Sequence, residues 1–308
     1  MELRVLQYFL AVTREQSISG AAQSLHLSQP TLSRQLKELE EELGKQLFLR
    51  GNRRITLTEE GMLLRKRAEE VVDLVQKTEQ EIAATDDLVA GDVYIGAGET
   101  DAVRYLARAA RQLQEDYPDI HYHISSGDTT DVLESLDKGL IDFGLLFGAV
   151  DTSKYEYIDF PVSDTYGILL RRDSPLADKE SLTPEDLWDK PLMFNRNTRD
   201  GDLLMTWLGK SRSEIRVAAT YNLLFNASLM VEEGLGYAFA LDKIIHAGGD
   251  GSLLFKPLSP PLNIGMRLIW KKYQFFSRPA QKFLEVFLGM ISSTHFTVAP
   301  ENDETAFN

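Results

Sequence analysis

The chain has 308 residues, of which 43% are apolar and 26% charged, with a formal net charge of −14. That length admits two or three domains, and the composition is in the range of globular water-facing chains. There is no cysteine, which excludes disulfides, thiolate catalysis and cysteine-based metal sites. No apolar run approaches the roughly 18 residues of a membrane helix, so no span and no membrane partner are expected. The opening MELRVLQYFLAV lacks a basic n-region and a small-residue cleavage site, so no signal peptide is expected and a reducing cytoplasm fits.

The first segment, MELRVLQYFLAVTRE, reads as a helix with Leu3, Leu6, Phe9, Leu10 and Thr13 on its apolar side. Residues 18–43 then read as two short amphipathic helices joined by a tight turn, with Ala21 and Ala22 small enough for close helix approach. Ser28 suits an N-cap and Pro30 the first turn that follows. Leu32, Leu36, Leu39 and Leu43 step by four, three and four, so they share one buried stripe. Pro30, Ser33, Arg34, Lys37 and Glu41 turn to the other side, which a helix-turn-helix lays in the major groove. LFLRGNRRITL follows as a hairpin wing, with Gly51-Asn52 as its turn and Arg50, Arg53 and Arg54 at its tip, placed for phosphates or a minor groove. The DNA-binding set is therefore Ser28, Gln29, Pro30, Thr31, Ser33, Arg34 and Lys37 on the helix, with Arg50, Arg53 and Arg54 on the wing.

These residues resemble the N-terminal module of LysR-type transcriptional regulators. The pattern is met at Phe9, Val12, Ser17, Ala21, Ala22, Leu25, Ser28, Gln29, Pro30, Leu32, Ser33, Leu36, Leu39, Glu40, Leu43, Gly44, Leu47, Phe48 and Arg50, and continues into Leu57–Gly61. The acidic total does not contradict a DNA-binding role. Residues 1–67 hold 11 Lys/Arg against 8 Asp/Glu, a local balance of +3, and the rest carries −17. Binding requires a local basic surface, not a basic whole.

Residues 59–90 read as a helix. Thr58 is its cap, and Glu59 and Glu60 lie at the positive end of its dipole. Leu64, Ala68, Val71, Val75, Thr78 and Ile82 alternate steps of four and three, the spacing of a two-stranded seam, with Leu64, Ala68, Val71, Val75 and Ile82 as the dimerisation set. A core helix of the next domain is the other reading. In the resembled family this is the linker helix, and pairing two copies sets two recognition helices on a two-fold axis.

Beyond Gly91 the period changes. Strands are expected at 92–98, 120–125, 142–147, 166–171, 216–220, 237–241 and 264–270, and helices at 102–117, 132–138, 200–210, 226–233 and 278–291. Such alternation implies a parallel sheet with crossover helices. The family resemblance extends loosely here, through Gly139, Asp142, Leu176, Gly234, Leu235 and Gly236. It implies two α/β subdomains like a periplasmic binding protein, with crossings near 161–165 and 263–269.

The expected architecture is α/β multidomain: a winged helix-turn-helix over 1–58, a linker and dimerisation helix over 59–90, and a two-subdomain effector-binding domain over 91–294. Subdomain I takes about 91–162 and 268–294, subdomain II about 163–267, and 295–308 form a flexible tail.

Ligands of doubly wound sheets sit beyond strand carboxyl ends, near helix N-termini. The effector-binding set is accordingly Thr100, Asp128, Thr129, Phe147, Asn195 and Asn226. In the family, hydroxyl residues at positions matching Thr100 and those around Asp128 hold an effector, often a small carboxylate. This chain departs from that pattern, because Glu99, Asp101 and Asp128 load the mouth with carboxylates. Either they cap their own helices, or they face the cleft and oppose an anion unless Arg196 or Arg199 offsets them.

Enzymatic patterns are weak. In GAGETD, 96–101, the third dinucleotide-loop position is Asp101, which blocks close helix packing. Ser135–Lys138 matches S-x-x-K on what reads as a solvated helix end, and His121 and His123 read as an edge-strand pair without a third ligand. The resulting expectation is a cytoplasmic, non-enzymatic regulator with no cofactor and no metal. Its expected partners are dyad-symmetric double-stranded DNA, a small-molecule effector and itself, as a dimer and, by family behaviour, a tetramer, with RNA polymerase as a further partner. An enzyme fused to a DNA-binding module, or an architectural binder without effector, are the alternatives from other classes.

Overall fold

The computed structural model describes residues 1–50, 55–83, 89–148, 150–245, 247 and 251–296, and the chain divides into two units, Met1–Thr85 and Asp86–Asn308. Among the described residues no helix is long and apolar enough to cross a membrane.

The first unit is built from α1 (Leu3–Glu15), α2 (Ile18–Ser24), α3 (Gln29–Leu43), the hairpin β1 (Phe48–Arg50) and β2 (Ile55–Leu57), and α4 (Glu59–Ala83). Leu6, Phe9, Val12, Leu32, Leu36, Leu39, Leu47 and Phe48 form its core, in which the rings of Phe9 and Phe48 lie 5.2 Å apart. Leu43 departs from the expected stripe. It is the last residue of α3, directly before Gly44 in the left-handed conformation, and it is exposed beyond the end of the core.

α4 corrects the seam. Ala68 is buried against the unit's own core and Leu64 packs on it, joined by Val72. Val75 is half-buried, whereas Val71 and Ile82 are exposed. Helical geometry gives the reason: at about 100° per residue, positions 64, 68, 72 and 75 cluster on one face and 63, 71, 74 and 78 on the adjacent one, while 82 falls in line with 64, five turns further on. α1 takes the first face, Leu63, Val71 and Leu74 remain exposed on the second, and Ile82 is exposed near the end of the helix.

The second unit carries a continuous mixed sheet. β3 (Gly91–Ala97) pairs in parallel with β4 (Ile120–Ser126) and β5 (Phe143–Phe147), with α5 (Val103–Asp116) and α6 (Thr129–Asp137) as crossovers. The long β6 (Tyr155–Arg171) pairs antiparallel with β11 (Asn263–Lys271) through its first part, and β11 pairs antiparallel with β5. The last part of β6 pairs instead with β9 (Tyr237–Leu241) and β10 (Leu253–Pro257). β9 continues in parallel to β7 (Pro191–Asn195), and β7 to β8 (Arg216–Tyr221), with α7 (Leu203–Leu208) and α8 (Leu224–Glu232) on the faces. The chain thus passes twice between two subdomains, on β6 and β11, each subdomain with its own buried apolar core. α9 (Arg278–Phe296) closes the first, with Phe283 and Phe287 fully buried.

Two strands were unexpected from sequence, β7 and β10, together with the first eleven residues of β6. Pro161 obscures β6, since proline cannot donate to a ladder. The register between β6 and β11 shifts opposite it, between Gly265 and Arg267, as a bulge allows. The sheet is also not purely parallel, because β6 and β11 run antiparallel to their neighbours. The expected tail begins two residues late: His295 and Phe296 end α9, and 297–308 lie outside the described residues.

Candidate nucleic-acid interface and effector cleft

Ser28 caps α3. Its hydroxyl accepts the Thr31 amide at 3.3 Å and shares a bond with the Thr31 hydroxyl at 2.7 Å. Ser28, Gln29, Pro30, Thr31, Arg34 and Lys37 are exposed on the side away from the core, and Ser33 is half-buried. Arg34 is 71% exposed and pairs with Glu38 at 3.5 Å. Lys37 meets Glu41 at 3.3 Å. Exposed pairs at this spacing are worth about 0.3–0.5 kcal/mol, so both cations can leave them for a phosphate or a base at little cost. Arg50 ends β1, while Gly51, Asn52, Arg53 and Arg54 lie outside the described residues.

What holds the wing is Glu40, whose role sequence reasoning left unassigned. Its Oε1 accepts the amides of Leu47 at 2.7 Å and Phe48 at 3.2 Å. Thr58 completes the junction by donating to the Gln46 carbonyl at 2.7 Å and accepting the Gly61 amide at 3.0 Å.

In the second unit a cavity of about 780 Å³ lies between the subdomains. Asp128, Thr129, Phe147 and Asn195 line it, as expected. Thr100 and Asn226 do not. The Thr100 side chain turns inward, where its hydroxyl accepts the Ala102 amide at 3.0 Å and donates to Asp164 at 2.6 Å. Asn226 is exposed on α8 outside the wall, and the helix offers Leu224 there instead.

Of the mouth carboxylates only Asp128 caps its own helix, and Asp128 and Glu99 reach across the cleft. Asp128 accepts the amides of Thr130 and Asp131 at the start of α6, at 3.0 and 3.1 Å. Arg196, from the other subdomain, meets Asp128 at 2.5 Å and Asp131 at 2.7 Å. Burial opposes the charge on Asp128, but Arg196, the Asp131 amide and Asn197 outweigh it and hold the group below its ordinary value. Glu99 accepts the Leu224 amide at the head of α8. Asp101 stays local, paired with Arg104 at 2.5 Å. Arg199 and Asp202 also line the cavity, and Asp202 accepts the Arg199 amide at 2.6 Å.

Asp164 sits where β6 crosses and is buried. Burial pushes its carboxyl above the ordinary value, opposed by the Thr100 hydroxyl and Lys243 and reinforced by Asp242 and Asp101. The sign follows: the folded chain binds this proton more tightly than the unfolded chain, so ionising Asp164 costs stability as pH rises above the usual carboxylate range. Asp164→Asn should therefore raise Tm at pH 7, with the gain shrinking as pH falls into that range. A gain independent of pH in thermal melts would assign it to packing instead.

Other candidates resolve as structure. Ser135 bonds back to the Asp131 carbonyl at 2.9 Å and Lys138 pairs with Glu134 at 2.5 Å, both within α6 and its cap. His123, on the edge strand β4, pairs with Asp92 at 2.8 Å and stacks on Tyr94, both on β3. Among the described residues no group of three or more His, Asp or Glu gathers as a metal site would require.

Residues 3–62 match the bacterial regulatory helix-turn-helix protein description of the lysR family, and residues 86–291 match the LysR substrate binding domain. The chain belongs to the LysR family: it is a DNA-binding transcription regulator with an effector-binding domain. It is 27% identical over 297 residues to the HTH-type transcriptional regulator BsdA of Bacillus subtilis (strain 168), covering 93% of this chain and 100% of that one. It is 30% identical over 195 residues to the dual regulator OxyR of Escherichia coli (strain K12), covering 63% of each chain. In fold it is similar to CbnR, a LysR family transcriptional regulator, at a TM-score of 0.71 and 19% identity, covering 94% of this chain and 99% of that one.

Proposed function

We propose that the first unit reads a dyad-symmetric operator. Ser33 and Arg34 meet base edges, while Ser28, Gln29, Pro30, Thr31 and Lys37 border the groove. Arg50, Arg53 and Arg54 on the wing contact phosphates. Two copies pair along α4, through the exposed residues Leu63, Val71, Leu74 and Ile82 and not through Leu64 and Ala68, and two such dimers form a tetramer. A small molecule in the cleft, bounded by Asp128, Thr129, Phe147 and Asn195, shifts the assembly between states it binds differently. The protein works in the cytoplasm, beside its DNA and RNA polymerase, as a regulator and not an enzyme. The domain limits at 58, 90 and 294 and the subdomain limits near 162 and 267 belong to this reading.

The observation that carries the proposal is the exposed, weakly paired Arg34 in the first half of a capped helix whose opposite face is buried at Leu32, Leu36 and Leu39. Arg34→Ala should cost roughly 1–3 kcal/mol on the operator and relax preference at one base position. Titrating operator and random duplexes in parallel checks this, since an equal loss on both makes Arg34 a phosphate contact.

A further inference from the structure

The cavity between the subdomains is already furnished with anions, and they belong to the protein. The second subdomain offers negative charge the Leu224 amide and the Arg199 guanidinium on the wall, and the Arg196 guanidinium beside it. Arg196 and the Leu224 amide are taken by carboxylates of the first subdomain. Asp128 and Asp131 hold Arg196, and Glu99 accepts from Leu224. The Glu99–Leu224 contact joins the two walls of a space of about 780 Å³, and Asp128, which also lines it, reaches Arg196 beside it. A carboxylate attached to the same chain acts at an effective concentration in the mM range, so a free carboxylate competes poorly with it.

We infer that Glu99 is a selectivity residue of the cleft: its carboxylate occupies the place beside Leu224 that a carboxylate ligand would otherwise take, and so biases the cavity toward uncharged, hydrogen-bonding ligands. This rests on the reading of the cleft as the effector site. The remaining wall suits that class. Thr129, Thr130, Asn195 and Asn197 offer neutral donors and acceptors, beside the aromatic faces of Phe147 and Phe239. Arg199 lines the cavity as well, so a carboxylate bound there must be told apart from one bound at Leu224.

The test is chemical rescue of full-length protein with sodium acetate, against sodium chloride at equal ionic strength. In Glu99→Ala, the Leu224 amide resonance should shift saturably with acetate, and a lowered Tm should recover toward the parent's. In the parent, acetate should leave the Leu224 resonance and the Tm where chloride does. Equal responses in parent and variant, or no acetate response in the variant, would overturn the inference. Glu99→Ser carries the same expectation if the alanine variant does not fold. Rescue at Leu224, with no neutral metabolite altering the operator footprint, would support the role of Glu99 and count against the effector reading, so the two fail separately.

Discussion

Gly61→Ala should abolish operator binding while leaving the 86–296 unit folded. A Cβ at this position would lie 2.2 Å from the Leu47 carbonyl oxygen and 3.0 Å from the Leu57 side chain. Neither the carbonyl nor the helix can give way cheaply. The Leu47 carbonyl accepts the Thr58 amide at 3.0 Å, and the Leu47 amide is held by Glu40 at 2.7 Å. The clash therefore falls on the joint where the wing leaves α3 and α4 begins. Overpacking that cannot relax costs about 3 kcal/mol or more, a large part of the stability of a small unit. Circular dichroism melts should show an early transition for the first unit, and gel-shift binding should be lost. Parent-like affinity would mean that the junction tolerates movement its hydrogen bonds argue against.

The pair Val71→Asp and Leu74→Asp should give a folded monomer with weak operator binding. Val71 and Leu74 are 44% and 41% exposed on α4, on the face its own core does not use. Covered by a second copy, they would bury two unpaired carboxylates per chain, at several kcal/mol in an apolar seam. Losing the second half-site forfeits the gain of linked binding, about 10²-fold or more in affinity. Sedimentation and operator titration check both parts. A dimer of parent stability would remove this face from the assembly. Ala68→Asp serves as the contrast, because Ala68 is buried in its own unit and its replacement should unfold that unit.

The first unit was legible in the sequence because its signals are local. A cap at Ser28, a proline at position 30 and leucines at helical spacing all lie within one helix. α4 was harder, since two apolar faces lie side by side and a four-three step runs along their border. Only the packing of α1 separates the face it covers from the one left exposed. The cleft was half legible. Asp128 announced itself as a cap by its position before α6, but its partner Arg196 stands 68 residues away. α8 starts two residues before its expected position, because the carboxylate that accepts its first amide is Glu99, 125 residues upstream. Thr100 pointed to the cleft by its place after β3, whereas its side chain is drawn inward by a buried Asp164 that no local pattern reveals. Long-range polar pairing leaves little periodic trace, and the cleft is built from it.

The most direct measurement is selection of bound duplexes from a random DNA library by the full-length protein. The expected outcome is an enriched, dyad-symmetric motif whose half-sites are separated by about one helical turn or a multiple, roughly 10–10.5 base pairs each. Enrichment of no sequence, or of a single asymmetric half-site by a protein that sediments as a dimer, would contradict the account.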